Sequence, residues 1–381
     1  MSVAIPGLTA GLALVMAILL LDQWRARRHG FQLVWAVGMA CYAIGAGAQA
    51  LAASSGWTEV LYRAWYLSGA VWTAAWLGLG TAFLLGRTRF GYTYAVLLLF
   101  SGLIALMIRS SPQYEGAGPL PLLYLLVAAL LAVGIGVEAY FASPRWTTYA
   151  AAGVVGATLL SIALMVATHL PDPGYALDPG TGQPVATLMP GYLRLLTPVL
   201  NFTGALSLLL GAVFSTYVFM PKKRLLPYSL DPRQPGDQFL FNLLIAPVAI
   251  TVNLVASLPA TGRALVTGKL HSRVPATILI AIGAFFPTLT DSLERAGATQ
   301  LFGIGKLLGV LFLLAGFLVS VEVFGDIRVP FAGRRRPVAR TERRDIAADG
   351  GAGPEQALPE EPAQPPEPAQ PGEPAGPARP A

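Results

Sequence analysis

Apolar runs of about twenty residues recur along this chain, each closed by a short polar turn. That length matches one helical crossing of a bilayer core. The first seven runs cover residues 4–21, 31–53, 59–89, 91–108, 119–142, 147–168 and 192–219. The third opens on Tyr62, Arg63, Trp65 and Tyr66 and closes on Arg87, Thr88 and Arg89, an aromatic entry and a basic exit. Three further apolar segments follow a polar stretch, at residues 239–259, 277–293 and 303–324. The pattern predicts an all-α, polytopic transmembrane helix bundle.

The turns alternate between basic and basic-poor, which sets a direction. Arg25, Arg27 and Arg28 follow the first run, and no cluster of positive charge precedes it, so this run reads as an uncleaved span with its N-terminus outside. The seventh run then ends inside, at Lys222, Lys223 and Arg224. The last apolar segment leads into Arg328, Arg334, Arg335, Arg336, Arg340, Arg343 and Arg344, also on the inner side. Three segments between two inner flanks cannot all cross. If 239–259 is the one that fails to cross, 21 of the 26 Lys and Arg residues lie inside and 5 outside. The expectation is therefore about nine spans: seven N-out spans, then a broken, re-entrant or interfacial segment bent at Pro247, then two more.

Three regions follow from this: 1–220, a seven-span bundle; 221–326, a linker, the broken segment and two spans; and 327–381, a basic then Pro/Ala/Glu-rich tail. The tail lacks aromatic and branched apolar residues after residue 358 and is expected to be a disordered, cytoplasmic, extended chain. The loop 169–190 contains DPGYALDPGTGQP, a run of turn formers without Lys or Arg.

Composition agrees with the pattern. Hydrophobic residues make up 54% and charged residues 12%, against about 25% charged in soluble domains. Too few charges remain to coat a water-facing surface of this size. The net charge of +6 sits largely in turns beside spans, which argues against a nucleic-acid partner. The single cysteine, Cys41, lies in an apolar run and excludes a disulfide framework or a CxxC metal site. His29, His169 and His271 stand in separate loops, so no metal or haem ligand set is visible, and no cofactor is expected. Neither HExxH nor GxSxG occurs, and the chain is read as non-enzymatic.

Polar groups inside apolar segments are costly and mark candidate sites. One set lies in the interrupted region 239–291: Asn242, Thr251, Asn253, Thr288, Thr290 and Asp291, with Pro247 and Pro287 as bending points. Freed backbone and polar side chains there would suit a solute site. The competing reading is an amphipathic surface helix followed by a kinked span. A second set comprises the charges near span ends, Arg63, Glu138, Arg194 and Glu322. The two glutamates suit a proton or ion role, or pairing with a turn arginine such as Arg145 for Glu138. Arg63 and Arg194, each beside a tyrosine, suit snorkelling at the aromatic belt. In the third run Tyr62, Tyr66, Gly69, Thr73, Trp76 and Gly80 share one face at the helical period, a packing seam or a groove.

The stretches WAVGMACYAIG (35–45), GWTEVLYRAWYLSGA (56–70) and WLGLGT (76–81), with RVPATILIAIGAF (273–285) and LVSVEVF (318–324), resemble a group of bacterial multi-spanning inner-membrane proteins over roughly residues 1–325. That resemblance implies the architecture and carries no activity. The N-out seven-span part also resembles the membrane input regions of some bacterial sensors, at the level of topology. The expectation is a bacterial inner-membrane sensor, scaffold or assembly factor acting through a membrane-protein partner or a second copy of itself. Its alternative is a small-solute or lipid transporter using region 239–291. The bilayer is the one certain partner class, with anionic headgroups expected at the Arg-rich tail.

Overall fold

The computed structural model describes residues 3–229, 239–267, 273–295 and 302–319. Ten helices are numbered here in chain order: α1 Ala4–Arg27, α2 Gly30–Ser55, α3 Glu59–Leu84, α4 Phe90–Ile108, α5 Leu120–Tyr140, α6 Trp146–Ala167, α7 Gly191–Phe219, α8 Phe239–Val266, α9 Arg273–Arg295 and α10 Phe302–Val319. No strand accompanies them among the described residues, only an isolated bridge between Leu177 and Pro184. Glu322 and residues 327–381 lie outside the described residues, as does the side chain of Asp291.

Nine of the helices described are long and apolar enough to cross a membrane. That number agrees with the expectation, but the membership differs. Leu244–Ala264 within α8 qualifies by length and composition, whereas α10 is an apolar helix described for 18 residues. The break expected at Pro247 is corrected: α8 is one helical run with Pro247 and Pro259 inside it. Each proline removes one backbone hydrogen bond without ending the run.

Short turns make consecutive helices antiparallel. α1 closes at Arg28, in the left-handed region with φ 57°, whose N–H returns to the Trp24 carbonyl at 2.7 Å. α2 begins two residues later. The near end of the bundle is where α1 begins, and the far end is where α2 begins. α2, α3 and α7 form the centre. α1 packs on α2, the α9–α10 hairpin on α7 and α1, the α4–α5 hairpin on α7, and α6 on α5 and α3.

Close backbone approach holds the centre together, since lipid gives little hydrophobic drive between helices. A Cβ on Gly78 of α3 would lie 2.4 Å from the Gly204 carbonyl oxygen of α7. A Cβ on Gly45 of α2 would lie 2.7 Å from the Cα of Gly69. The Trp35 indole covers Gly80 and donates to the Leu77 carbonyl at 2.9 Å.

The ends of the helices are fixed by specific pairs. Thr216 near the end of α7 meets Thr277 near the start of α9 at 2.8 Å, and Tyr217 and Met220 cluster with Val274. α7 therefore ends, and α9 begins, at the far end. Gly303 at the start of α10 sits against Ile5 of α1, and Phe317 near its end meets Trp35 edge-on at 5.0 Å. α10 thus runs from the near end to the far end.

Candidate functional site

The central helix α3 is not α-helical throughout. Trp65–Trp72 is a π-helical run of 8 residues, between an α-helical start and an α-helical far half. The hydroxyl of Thr73 donates to the Ser68 carbonyl at 2.7 Å, inside the widened turn. Such i→i+5 turns are rare and concentrate at functional sites. They also shift the angular position of everything that follows. The single face expected from Tyr62 to Gly80 is accordingly divided. Tyr62 and Tyr66 turn to the near-end loops and α7, Gly69 and Gly80 to α2, and Trp76 packs toward the cluster of α4, α5 and α6.

Above the π-helical run sits a cap built from the ends of α6 and α7 and the loop between them. The loop closes on itself, with the Val185 N–H on the Ala176 carbonyl at 3.0 Å and the Asp178 N–H on the Gln183 carbonyl at 2.8 Å. Tyr62 is fully buried and donates to the Val185 carbonyl at 2.5 Å. Tyr66 donates to the Leu193 carbonyl at 3.1 Å and meets the Thr197 hydroxyl at 3.0 Å. Trp72, at the end of the run, donates to the Ser161 hydroxyl of α6 at 2.8 Å. The cap is tied by hydrogen bonds to both ends of the irregular segment.

Arg63, one of the four candidate charges, is part of this cap. Its guanidinium donates to the carbonyls of Met165 and Thr168, the latter at 2.7 Å, and pairs with Glu59 one turn earlier. Those carbonyls close α6, where the Met165 carbonyl also takes the Thr168 N–H at 3.3 Å, so the arginine adds donors at the C-terminal cap of a neighbouring helix. The snorkelling reading is thereby sharpened: the charge is spent on backbone. Arg194 lies at the same end and donates to Gln113 at 3.4 Å.

Two buried donors in this aromatic cluster lack an acceptor among the described residues, Trp65 Nε1 and the Tyr124 hydroxyl. Trp65 stands among Trp57, Tyr62 and Tyr66 with ring centroids 5.5–6.3 Å apart. Buried donors are nearly always satisfied, so each is a group that a water or a small acceptor would complete.

The set expected in region 239–291 is not one site. Asn253 is fully buried at the far end. Its side-chain oxygen accepts from the N–H groups of Leu225 and Leu226 at 2.7 and 2.9 Å, and its amide donates to the Leu226 carbonyl at 2.8 Å. Ser257, one turn on, accepts from the Lys223 N–H at 2.8 Å. The residues after α7 thus lie as a strap on the middle of α8, and Asn253 is spent on holding it. Beside the strap, burial and then the adjoining Tyr217 push the Tyr228 phenol above its ordinary value. Thr251 is exposed and bonds to the Pro247 carbonyl. Thr288 and Thr290 bond to carbonyls of their own helix, and Thr290 packs on Gly305, toward the near end. About fifteen residues of α9 at 1.5 Å each separate these threonines from the far end. Asn242 is half-buried on the first turn of α8. Glu138 is half-buried near the far end, has no ion-pair partner among the described residues, and is not joined to the exposed Arg145.

The π-helical run and the strap escaped the sequence reading. The strap has a readable trace in retrospect, an Asn and a Ser at i and i+4 inside an apolar run. The run has none, because its bonding is settled by the contacts above and beside it. Among the described residues no cluster of His, Cys, Asp or Glu could hold a metal. Comparison of the chain with protein-family models, with curated proteins and with solved structures gave no match.

Proposed function

We propose that the chain is a multi-pass protein of a bacterial inner membrane that works as a sensor or scaffold, reading its outer face and passing the state to a partner inside. The observation that carries this reading is the π-helical run Trp65–Trp72, hydrogen-bonded to the near-end cap and continuous with the far half of the central helix. A π-turn can slip to α-helical bonding and rotate the rest of the helix, which makes it a two-state element between the two ends. The unpartnered Trp65 and Tyr124 donors in the same cluster offer a place where a small acceptor would bias that element.

The orientation belongs to the same proposal. The N-terminus and the cap lie outside, and the tail inside. In this arrangement α8 lies in the inner interface without crossing. Support comes from the pairing of the end of α7 with the start of α9 at one end, since a single helix between them would change sides if it crossed.

Hydrogen exchange on the full chain in lipid nanodiscs tests the sensor reading. Tyr62→Phe releases Val185 and should speed exchange across 176–190. If α3 transmits that change, exchange in 84–92 at the far end changes too. A response confined to the cap would reject transmission.

A further inference from the structure

α3 and α7 run side by side in the same direction, from the near end to the far end. Residues that meet across them should then keep a constant separation in sequence. They do not. In the near half Tyr66 meets Leu193 and Thr197, 127 and 131 residues on, and Ala70 meets Asn201, again 131 residues on. In the far half Ala74 and Gly78 both meet Gly204, and Thr81 and Leu85 both meet Gly211, at 130 and 126 residues. Every contact has moved by one residue, and the new spacing holds to the end of α3. Between Ala70 and Ala74 α3 takes four steps where α7, from Asn201 to Gly204, takes three. The surplus residue falls where the Ser68 carbonyl receives both the N–H and the hydroxyl of Thr73, an i→i+5 bond. A π-helical turn is the form in which a helix absorbs such a residue.

We propose that Asn201 is the positioning residue of the π-helical run, holding the near half of α3 one residue out of step with the far half. Its side-chain amide donates to the Ala70 carbonyl at 3.0 Å, the last contact before the step. One turn earlier on α7, Thr197 meets the Tyr66 hydroxyl at 3.0 Å. An amide inside an apolar span is costly, and this one is spent on the irregular segment. The far half is fixed by shape instead. Gly78 and Gly204 leave no room for a side chain between the two helices, so that half cannot slide. The near half is held on α7 by hydrogen bonds, which can be exchanged. Release of the surplus residue from the run would move the near half about 1.5 Å along α7 and turn it by about 100°. As a switch this rests on the sensor reading above; the step in register stands or falls separately from it.

The test uses the full-length protein in lipid nanodiscs, with folded yield and hydrogen exchange over 65–73 as readouts. Deletion of Thr73 removes the surplus residue and leaves both sets of contacts in register, so this variant should fold. Deletion of Leu79 cannot be absorbed in the same way, because sliding would bring Leu77 to the place of Gly78, against the Gly204 backbone. It should give no folded protein. Asn201→Leu removes one neutral hydrogen bond, which speeds local opening roughly two- to tenfold. That rise should appear over 65–73 in the otherwise unchanged chain and be smaller once Thr73 is deleted, where α-helical bonding holds the segment without the amide. Should Asn201→Leu not fold, Tyr66→Phe, which frees Thr197 in the same register, takes its place. Loss of folding on deletion of Thr73, folded protein on deletion of Leu79, or an equal rise in exchange with and without Thr73 each overturns the assignment. Tyr62→Phe leaves the contacts with α7 in place, so a failure of transmission in that variant is told apart from a failure of register.

Discussion

Gly78 and Asn253 show how differently single residues carry this fold. Gly78 faces backbone on α7, and a methyl group there meets a carbonyl that cannot step aside. Gly78→Ala should therefore destabilise by about 1–3 kcal/mol, the usual cost of overpacking. Gly136→Ala has nothing within 4 Å and should be neutral or stabilising by up to about 1 kcal/mol. Thermal unfolding in one detergent compares the two; equal effects would show that the α3–α7 contact does not limit stability. Asn253→Ala strips partners from three backbone groups of the strap. Leaving such groups unmet costs about 1–3 kcal/mol each at most, less where water enters. The expected outcome is faster tryptic cleavage at Lys222, Lys223 and Arg224, which are exposed, with little change in the unfolding midpoint. The sequence marks Asn253 as costly and hence significant. It does not say that the partner comes from a strap twenty-eight residues earlier, because that pairing exists only once α7 has ended beside α8.

At the scale of elements, apolar length located the described helices, and turn chemistry located their ends, because both are local properties. Whether a helix is α or π, and whether it breaks at a proline, depends on neighbours. α3 is widened beside Tyr62, Tyr66 and Trp72, which bond to the cap and to α6, and α8 continues through Pro247 and Pro259. Arg63 is the sharpest test of the cap. Replacing it with methionine keeps the apolar stem and removes the guanidinium bonds to the carbonyls of Met165 and Thr168. The last turn of α6 should fray, seen as faster exchange at 163–168, while exchange in α2 stays as it was. Protection at 163–168 equal to wild type would return Arg63 to the role of a solvated surface charge.

For the whole molecule the question is which helices cross. Length and composition admit α8, since Leu244–Ala264 is as apolar as α7. Its surface is compatible with both arrangements. The face on the protein holds Ala246, Ala249, Asn253, Ser257 and Thr261, small or polar, and the face away from it holds Leu244, Val248, Val255 and Leu258. Large apolar side chains in lipid and small or polar ones against the bundle suit a crossing helix as well as an interfacial one. Its middle, at Ile250, Leu254 and Asn253, meets the very end of α7, whereas the middle of an antiparallel crossing partner would meet the middle of α7. Cysteine labelling from one side of sealed vesicles separates the two arrangements in a Cys41→Ser background. Arg87→Cys reports the far end and Gly116→Cys the near end. Thr267→Cys, just past α8 and exposed, should label with Arg87→Cys. Labelling with Gly116→Cys instead would make α8 a crossing helix, put the start of α9 on the other side, and contradict the Thr216–Thr277 contact on which the orientation rests.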